Sequence, residues 1–284
     1  MSGPDPSEWT TYIPFATALL GVLTGAYVTT RNKTIDDRLK EVRAGHAAAA
    51  LTYSAITDVF INVKKQNVKP TYDRYEINKT IFLWHTATRR PGEVVDFHAD
   101  MQTLDIVRVP TDAVQKILVE RVNTPTRALA LMAVLDRTIH GLNNYLKMRN
   151  DMCEEFRKNG AKPQIYFGLR TPTGADERYS STMKAIMSYT DDAIHFSKEL
   201  GDELVRYSNR EKARLPRGQR KKAPIIVSAD FSKALDMFPE RKPYSDWDTM
   251  FVGPEPKRPW WKWRPTRWKV WERERVSSIS TTGK

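Results

Sequence analysis

Between Trp9 and Thr30 the chain runs twenty-two residues without a charge, and the flanks of that run are lopsided. Asp5 and Glu8 stand before it, with no Lys or Arg. Arg31, Lys33, Arg38, Lys40 and Arg43 follow it. A hydrocarbon core about 30 Å thick needs roughly 20 mostly apolar helical residues to cross it. The segment 12–30 has that length, with Pro14 in its first turn, where a missing N–H matters little. Thr hydroxyls in such a segment can bond back to the helix, and Trp9, Tyr12 and Tyr27 sit where interfacial aromatics belong. A secretory signal would instead carry a basic n-region, and residues 1–11 hold no Lys or Arg. The sequence therefore predicts a transmembrane helix over 12–30 after a short acidic tail at 1–11. The basic flank places the N-terminus outside and the bulk on the cytoplasmic or matrix side, as in a bacterial plasma membrane or an organelle inner membrane.

Beyond the run, apolar positions keep stepping by four and three: Ile35, Leu39, Val42, His46, Ala49, Tyr53, Ile56, Phe60 and Val63. That is the heptad spacing of a coiled coil or of a bundle seam. The register extends back through Asn32, Val28, Gly25, Gly21 and Ala18. Gly21-Val-Leu-Thr-Gly25 is a GxxxG, continued at four-residue steps by Thr17 and Thr29, and small residues so spaced let two membrane helices approach closely. Self-association through this stripe and an internal bundle seam are both open readings of it.

Pro70 is expected to end this helix. A shorter helix follows over Tyr72 to Thr88, with Tyr72, Ile77, Ile81 and Trp84 turned inward, and Leu104 to Val109 alternates like a short strand. Thr111 or Asp112 opens a helix through Val122, and Thr124-Pro125 opens a long one. Its stripe is Met132, Leu135, Ile139, Leu142, Leu146, Cys153 and Phe156, and Asn159-Gly160 closes it. Gln164–Leu169 reads as a possible strand within a loop. The last long helix runs from about Asp176 to Arg214 on Met183, Ile186, Ala193, Leu200, Leu204 and Tyr207. The expected fold is mainly α: a transmembrane helix continuing into an antiparallel helical bundle over 31–214, followed by an irregular tail over 215–284.

Charge separates the tail from the body. Residues 1–209 hold 27 basic and 25 acidic side chains, whereas residues 210–284 hold 19 and 9, so nearly all of the net +12 lies at the C-terminal end. Within that end, Trp260, Trp261, Trp263, Trp268 and Trp271 alternate with Arg264, Arg267 and Lys269 among prolines. Indole and basic side chains together suit an anionic lipid surface. They also suit docking into a partner protein or, less well, stacking on single-stranded nucleic acid.

No catalytic signature is present: there is no GxxxxGK[ST], GxGxxG or GxSxG, and the five His form no HExxH. Asp96, His98 and Asp100 would share a face only in a strand. The lone Cys153 has no disulfide or metal-ligand companion and reads as a core residue. These features favour a membrane-anchored helical scaffold or accessory subunit without enzymatic activity or cofactor. It would organise partners at the membrane, through self-association or within a larger complex. The competing class is a membrane-tethered effector acting on nucleic acid or lipid.

Overall fold

In the computed structural model, backbone is described for residues 6–90, 93–171, 174–225, 227–240, 242–245 and 247, and side chains from residue 20 onward, with 58, 59 and 242 excepted. The chain divides into two compact units, 1–239 and 240–284; of the second, one 3₁₀ turn over Lys242–Tyr244 is described. The first unit is mainly helical, as expected.

Helix α1 spans Pro6–Ser54 and passes without a break into two π-helical segments, Ala55–Ile61 and Lys64–Val68, and then into α2, Lys69–Thr88. Pro70 does not end the helix. The amide of Lys69 donates to the carbonyl of Lys64, a wide five-residue turn immediately ahead of the ring. Such a turn absorbs the carbonyl clash and lost N–H that Pro imposes on a regular helix. It also rotates the buried face. Phe60 is followed inward by the buried Lys64 and Val68, while Val63 is only half-buried. By α2 the inward residues are Thr71, Tyr75 and Phe82, and the expected inward positions Ile77, Ile81 and Trp84 are exposed.

Short α3 (Thr111–Glu120) and long α4 (Thr126–Asn159) follow. Every residue of the expected α4 stripe is buried, and Gly160 turns the chain at φ 77°. Gln164–Leu169 does not form a strand: Pro163–Phe167 is a single helical turn, α5, which Gly168 closes in the left-handed region. A two-residue hairpin pairs β1, Arg170–Thr171, with β2, Gly174–Ala175, and leads into α6, Arg178–Arg214. The whole expected α6 stripe is likewise buried.

α6 lies between α1 and α4 and runs antiparallel to both. Against α4, Tyr179 meets Cys153 and Glu199 meets Arg127 at 3.0 Å, so rising numbers on one helix face falling numbers on the other. Against α1, Tyr207 donates to Glu41 and Tyr53 donates to Asp202 at 2.6 Å; farther along, in the second π-helical segment, Lys64 pairs with Asp191 at 2.6 Å. The two backbones approach closely at two glycines. A Cβ on Gly45 would meet Ser208 Oγ at 2.3 Å, and one on Gly201 would meet the Tyr53 ring at 2.6 Å.

Residues 97–109 run as an extended strap across α4, without the expected strand over 104–109. Asn143 accepts from the amide of Val107 and donates to the same residue's carbonyl, at 2.8 and 2.9 Å. Asn150 treats Leu104 the same way, at 2.9 and 2.7 Å. Two side-chain amides spaced i, i+7 thus act as a sheet neighbour would, satisfying backbone that has no ladder. Arg149, fully buried, donates to the carbonyls of Gln102 and Asp100, and Arg157 donates to Met101. The segment read as tail also contributes to this unit: Leu215, Ala223 and Met237 are buried.

The Lys64–Asp191 pair generates a test. The Lys64 side chain is 5% exposed and also donates to the Met237 carbonyl at 2.7 Å. Asp191→Ala strands a buried ammonium and should destabilise the protein by about 3 kcal/mol. Replacing the pair together, as Lys64→Met with Asp191→Leu, should recover stability to within about 1 kcal/mol of wild type. Urea unfolding in mild detergent, followed by circular dichroism, reads both; an Asp191→Ala protein as stable as wild type would contradict the assignment.

Candidate membrane-facing surface

From Leu20 to Thr34 every described side chain of α1 is exposed. From Leu20 to Leu39, the first buried of the described side chains, the helix rises about 28 Å. Leu20, Val22, Leu23, Tyr27 and Val28 all point outward, each with 47–68% of its surface exposed. Apolar side chains around the full circumference of a helix are the mark of a segment meant to be covered on all sides. The threonines present methyl groups, because their hydroxyls bond back along the helix: Thr24 to the Leu20 carbonyl at 2.7 Å, Thr29 to Gly25 at 2.8 Å and Thr34 to Thr30 at 2.9 Å.

Among the described residues no helix is long and apolar enough to cross a membrane. The described side chains of the 12–30 run are its last eleven, about 17 Å of helix. Tyr12 to Leu19, with Thr17 among them, have side chains outside the described residues. Gly21 and Gly25 lie on the bare part of the rod, where an added Cβ would meet nothing within 4 Å. The lower stripe is used internally. Leu39, Val42, Ala49, Tyr53, Ile56 and Phe60 are buried within the bundle, so of the two open readings this part of the stripe is the internal seam.

A basic collar follows the rod. Arg31, Lys33, Lys40 and Arg43 are exposed and Arg38 half-buried, whereas two of the three nearby acids, Asp37 and Glu41, are engaged. Asp37 pairs with Lys40 at 3.6 Å, and Glu41 accepts from Tyr207 and from the Asn123 amide. The tail positions Trp260, Trp261, Trp263, Arg264, Arg267, Trp268, Lys269 and Trp271 lie outside the described residues.

The interior is built for packing. Tyr75, Phe82, Phe156, Tyr166, Phe167 and Tyr179 form one aromatic cluster around Cys153 and Met183. Burial pushes the Cys153 thiol above its ordinary value, which disfavours the reactive thiolate. The Asp100 carboxylate is held by Arg74 at 2.8 Å and by the Gln102 amide at 3.0 Å. Among the described residues no group of three His, Cys, Asp or Glu could hold a metal. Sequence reasoning missed Arg149 and Lys64, although both fall on apolar stripes, Arg149 between Leu146 and Cys153 and Lys64 four residues after Phe60. A long basic residue in a stripe position was the available signal.

Burial raises the hydroxyls of Tyr53, Tyr75, Tyr166, Tyr179 and Tyr207 above the ordinary tyrosine value, and carboxylates reinforce the effect at Tyr53 and Tyr207. The folded chain then keeps protons that the unfolded chain loses above about pH 10. This contribution is intact below that pH and falls by about 1.4 kcal/mol per pH unit above it for each such tyrosine. Tyr179→Phe should reduce the alkaline slope of unfolding free energy by one such increment, and an unchanged slope would show that Tyr179 ionises freely when folded.

No family model, curated protein or solved structure matches this chain, so a functional reading rests on its own geometry.

Proposed function

We propose that this protein is a single-pass, membrane-anchored helical scaffold or accessory subunit. The 12–30 segment lies in the bilayer, the N-terminus is outside, and the bundle organises partners at the cytoplasmic or matrix face. The observation that carries this reading is the bare apolar rod of residues 20–30, continuous with a helix whose next turns are basic and then buried. A rod of that character standing in water would aggregate; in hydrocarbon its satisfied Thr hydroxyls and backbone are at rest. Gly21 and Gly25 leave a flat face on which a second span can pack. The basic Trp-rich tail, on this reading, docks on lipid or on a partner protein.

A partner-binding role is supported by α2. Ile77, Ile81 and Trp84 follow one another at i, i+4 and i+7 on its outer face, with 49–62% of their surfaces exposed, and Leu83 lies beside them. An apolar stripe left open by the chain's own fold is how helices present themselves to other helices.

Two measurements on full-length protein in isolated membranes test the proposal. Alkaline carbonate should leave the protein in the membrane pellet, and protease added to the outer face should spare the bundle while removing an N-terminal tag. Release by carbonate would refute the anchor, and digestion of the bundle from outside would refute the orientation.

A further inference from the structure

At the foot of the apolar rod, α1 faces a loop that returns from the end of α6. This loop contains the short helix α7, Arg217–Arg220. Between the two lies an open crevice of about 470 Å³. One wall is three successive turns of α1: Val28, then Arg31 and Asn32, then Ile35. Gln219 and Lys222 face them from the loop.

We propose that this crevice binds the phosphate headgroup of an anionic glycerophospholipid. The inference rests on the membrane reading above and deepens it by naming a lipid site on the same surface. Four observations carry it.

The first is charge. Arg31 and Lys222 approach from opposite walls, and among the described residues neither has an acidic partner. A guanidinium and an ammonium converging with two side-chain amides make a donor set for a phosphate, which accepts from several directions at once. Asp36 and Asp37 lie on the bundle side of the crevice, and Asp37 is taken by Lys40.

The second is a division of labour among the basic residues of the loop. Arg220 donates to the carbonyls of Leu215, at 2.7 Å, and Ala213; Lys212 donates to the carbonyl of Pro224 at 2.6 Å. Those two cations build the loop, while Arg217, Lys221 and Lys222 are left exposed to solvent.

The third is rigidity. Leu215 and Ala223, at the two ends of the loop, are buried, so Gln219 and Lys222 are presented by a closed segment. Less ordering is then required on binding.

The fourth is position, which selects a lipid over a free anion. Above the crevice the exposed helix continues with apolar or aromatic side chains, Val28 at the wall itself and Tyr27 and Leu20 four and eleven residues before Arg31 and so on its side of the helix. A phosphate seated between Arg31 and Lys222 would lay its acyl chains along that surface. Basic pockets beside a span on the inner face are where anionic headgroups bind.

The test uses full-length protein in mild detergent, with native mass spectrometry reading retained phosphatidylglycerol and phosphatidylcholine. Wild type should retain phosphatidylglycerol preferentially, and Arg31→Gln with Lys222→Gln should weaken that retention roughly tenfold or more. Arg89→Gln with Arg90→Gln removes the same charge from exposed positions elsewhere and should leave retention unchanged. Arg31→Lys with Lys222→Arg keeps both charges and should also retain the lipid, which guards against a mere folding defect. Equal retention by wild type and the glutamine pair would overturn the proposal, as would equal retention of the two lipids. Displacement of phosphatidylglycerol by inorganic phosphate would overturn the lipid assignment and leave a free-anion site. A carbonate wash on the same membranes separates the two readings. If the glutamine pair stays in the membrane but retains lipid as wild type does, only the headgroup site falls; if wild type is released, the anchor falls with it.

Discussion

The α1–α6 seam is the contact on which the rest of the structure depends. It is registered by Glu41 with Tyr207 and Tyr53 with Asp202, and the π-helical segment continuing α1 adds a third lock, Lys64 with Asp191. Between them, a Cβ on Gly201 would run into the Tyr53 ring, and one on Gly45 would force the Ser208 hydroxyl to turn away. Because α6 also packs on α4 along its length, α1 is held to the whole bundle through this seam. On the N-terminal side of Leu39 the same helix continues unbroken, since one helix passes from Pro6 to Ser54.

Two departures from regular geometry tune that framework. The π-helical segments ahead of Pro70 keep the helix continuous, with Lys64 turned inward and Val63 only half-buried. The strap over 97–109 crosses α4 without sheet partners because Asn143 and Asn150 supply peptide-like hydrogen bonds from a helix face. Both devices place polar groups in the interior with their bonds largely made, a condition under which such groups specify one packing.

The long amphipathic elements were legible in the sequence, and the irregular ones were not. α4 and α6 follow from the three-and-four spacing alone, and all the residues assigned to their stripes are buried. The seam of α1 was also legible, although spacing could not distinguish a partner helix in the same chain from a second copy. Pro70 misled because its effect depends on the turn before it, which is a tertiary matter. The face of α2 was misassigned for a related reason: the π turns rotate the register, and Ile77, Ile81 and Trp84 form a good stripe that the chain's own core leaves open. Alternation over 104–109 did signal an extended segment, but nothing local announces that its hydrogen bonds go to side chains of another helix. The candidate surface was legible at Gly21, Gly25 and the basic flank; the crevice at Arg31 and Lys222 was not, since its walls are nearly two hundred residues apart in sequence.

The central claim is that the bare half of α1 is immersed in hydrocarbon up to the basic collar. Spin labels placed singly at residues 20–34 of the full-length protein in vesicles test it most directly, through collision with oxygen, which favours the bilayer, and with a polar nickel chelate, which favours water. The account predicts high oxygen access around the whole circumference from 20 to 30, apart from any dip at Gly21 and Gly25, and a crossover to the chelate near Arg31–Lys33. High chelate access throughout, or protection with a helical period over one broad face, would show instead that water or protein covers the rod.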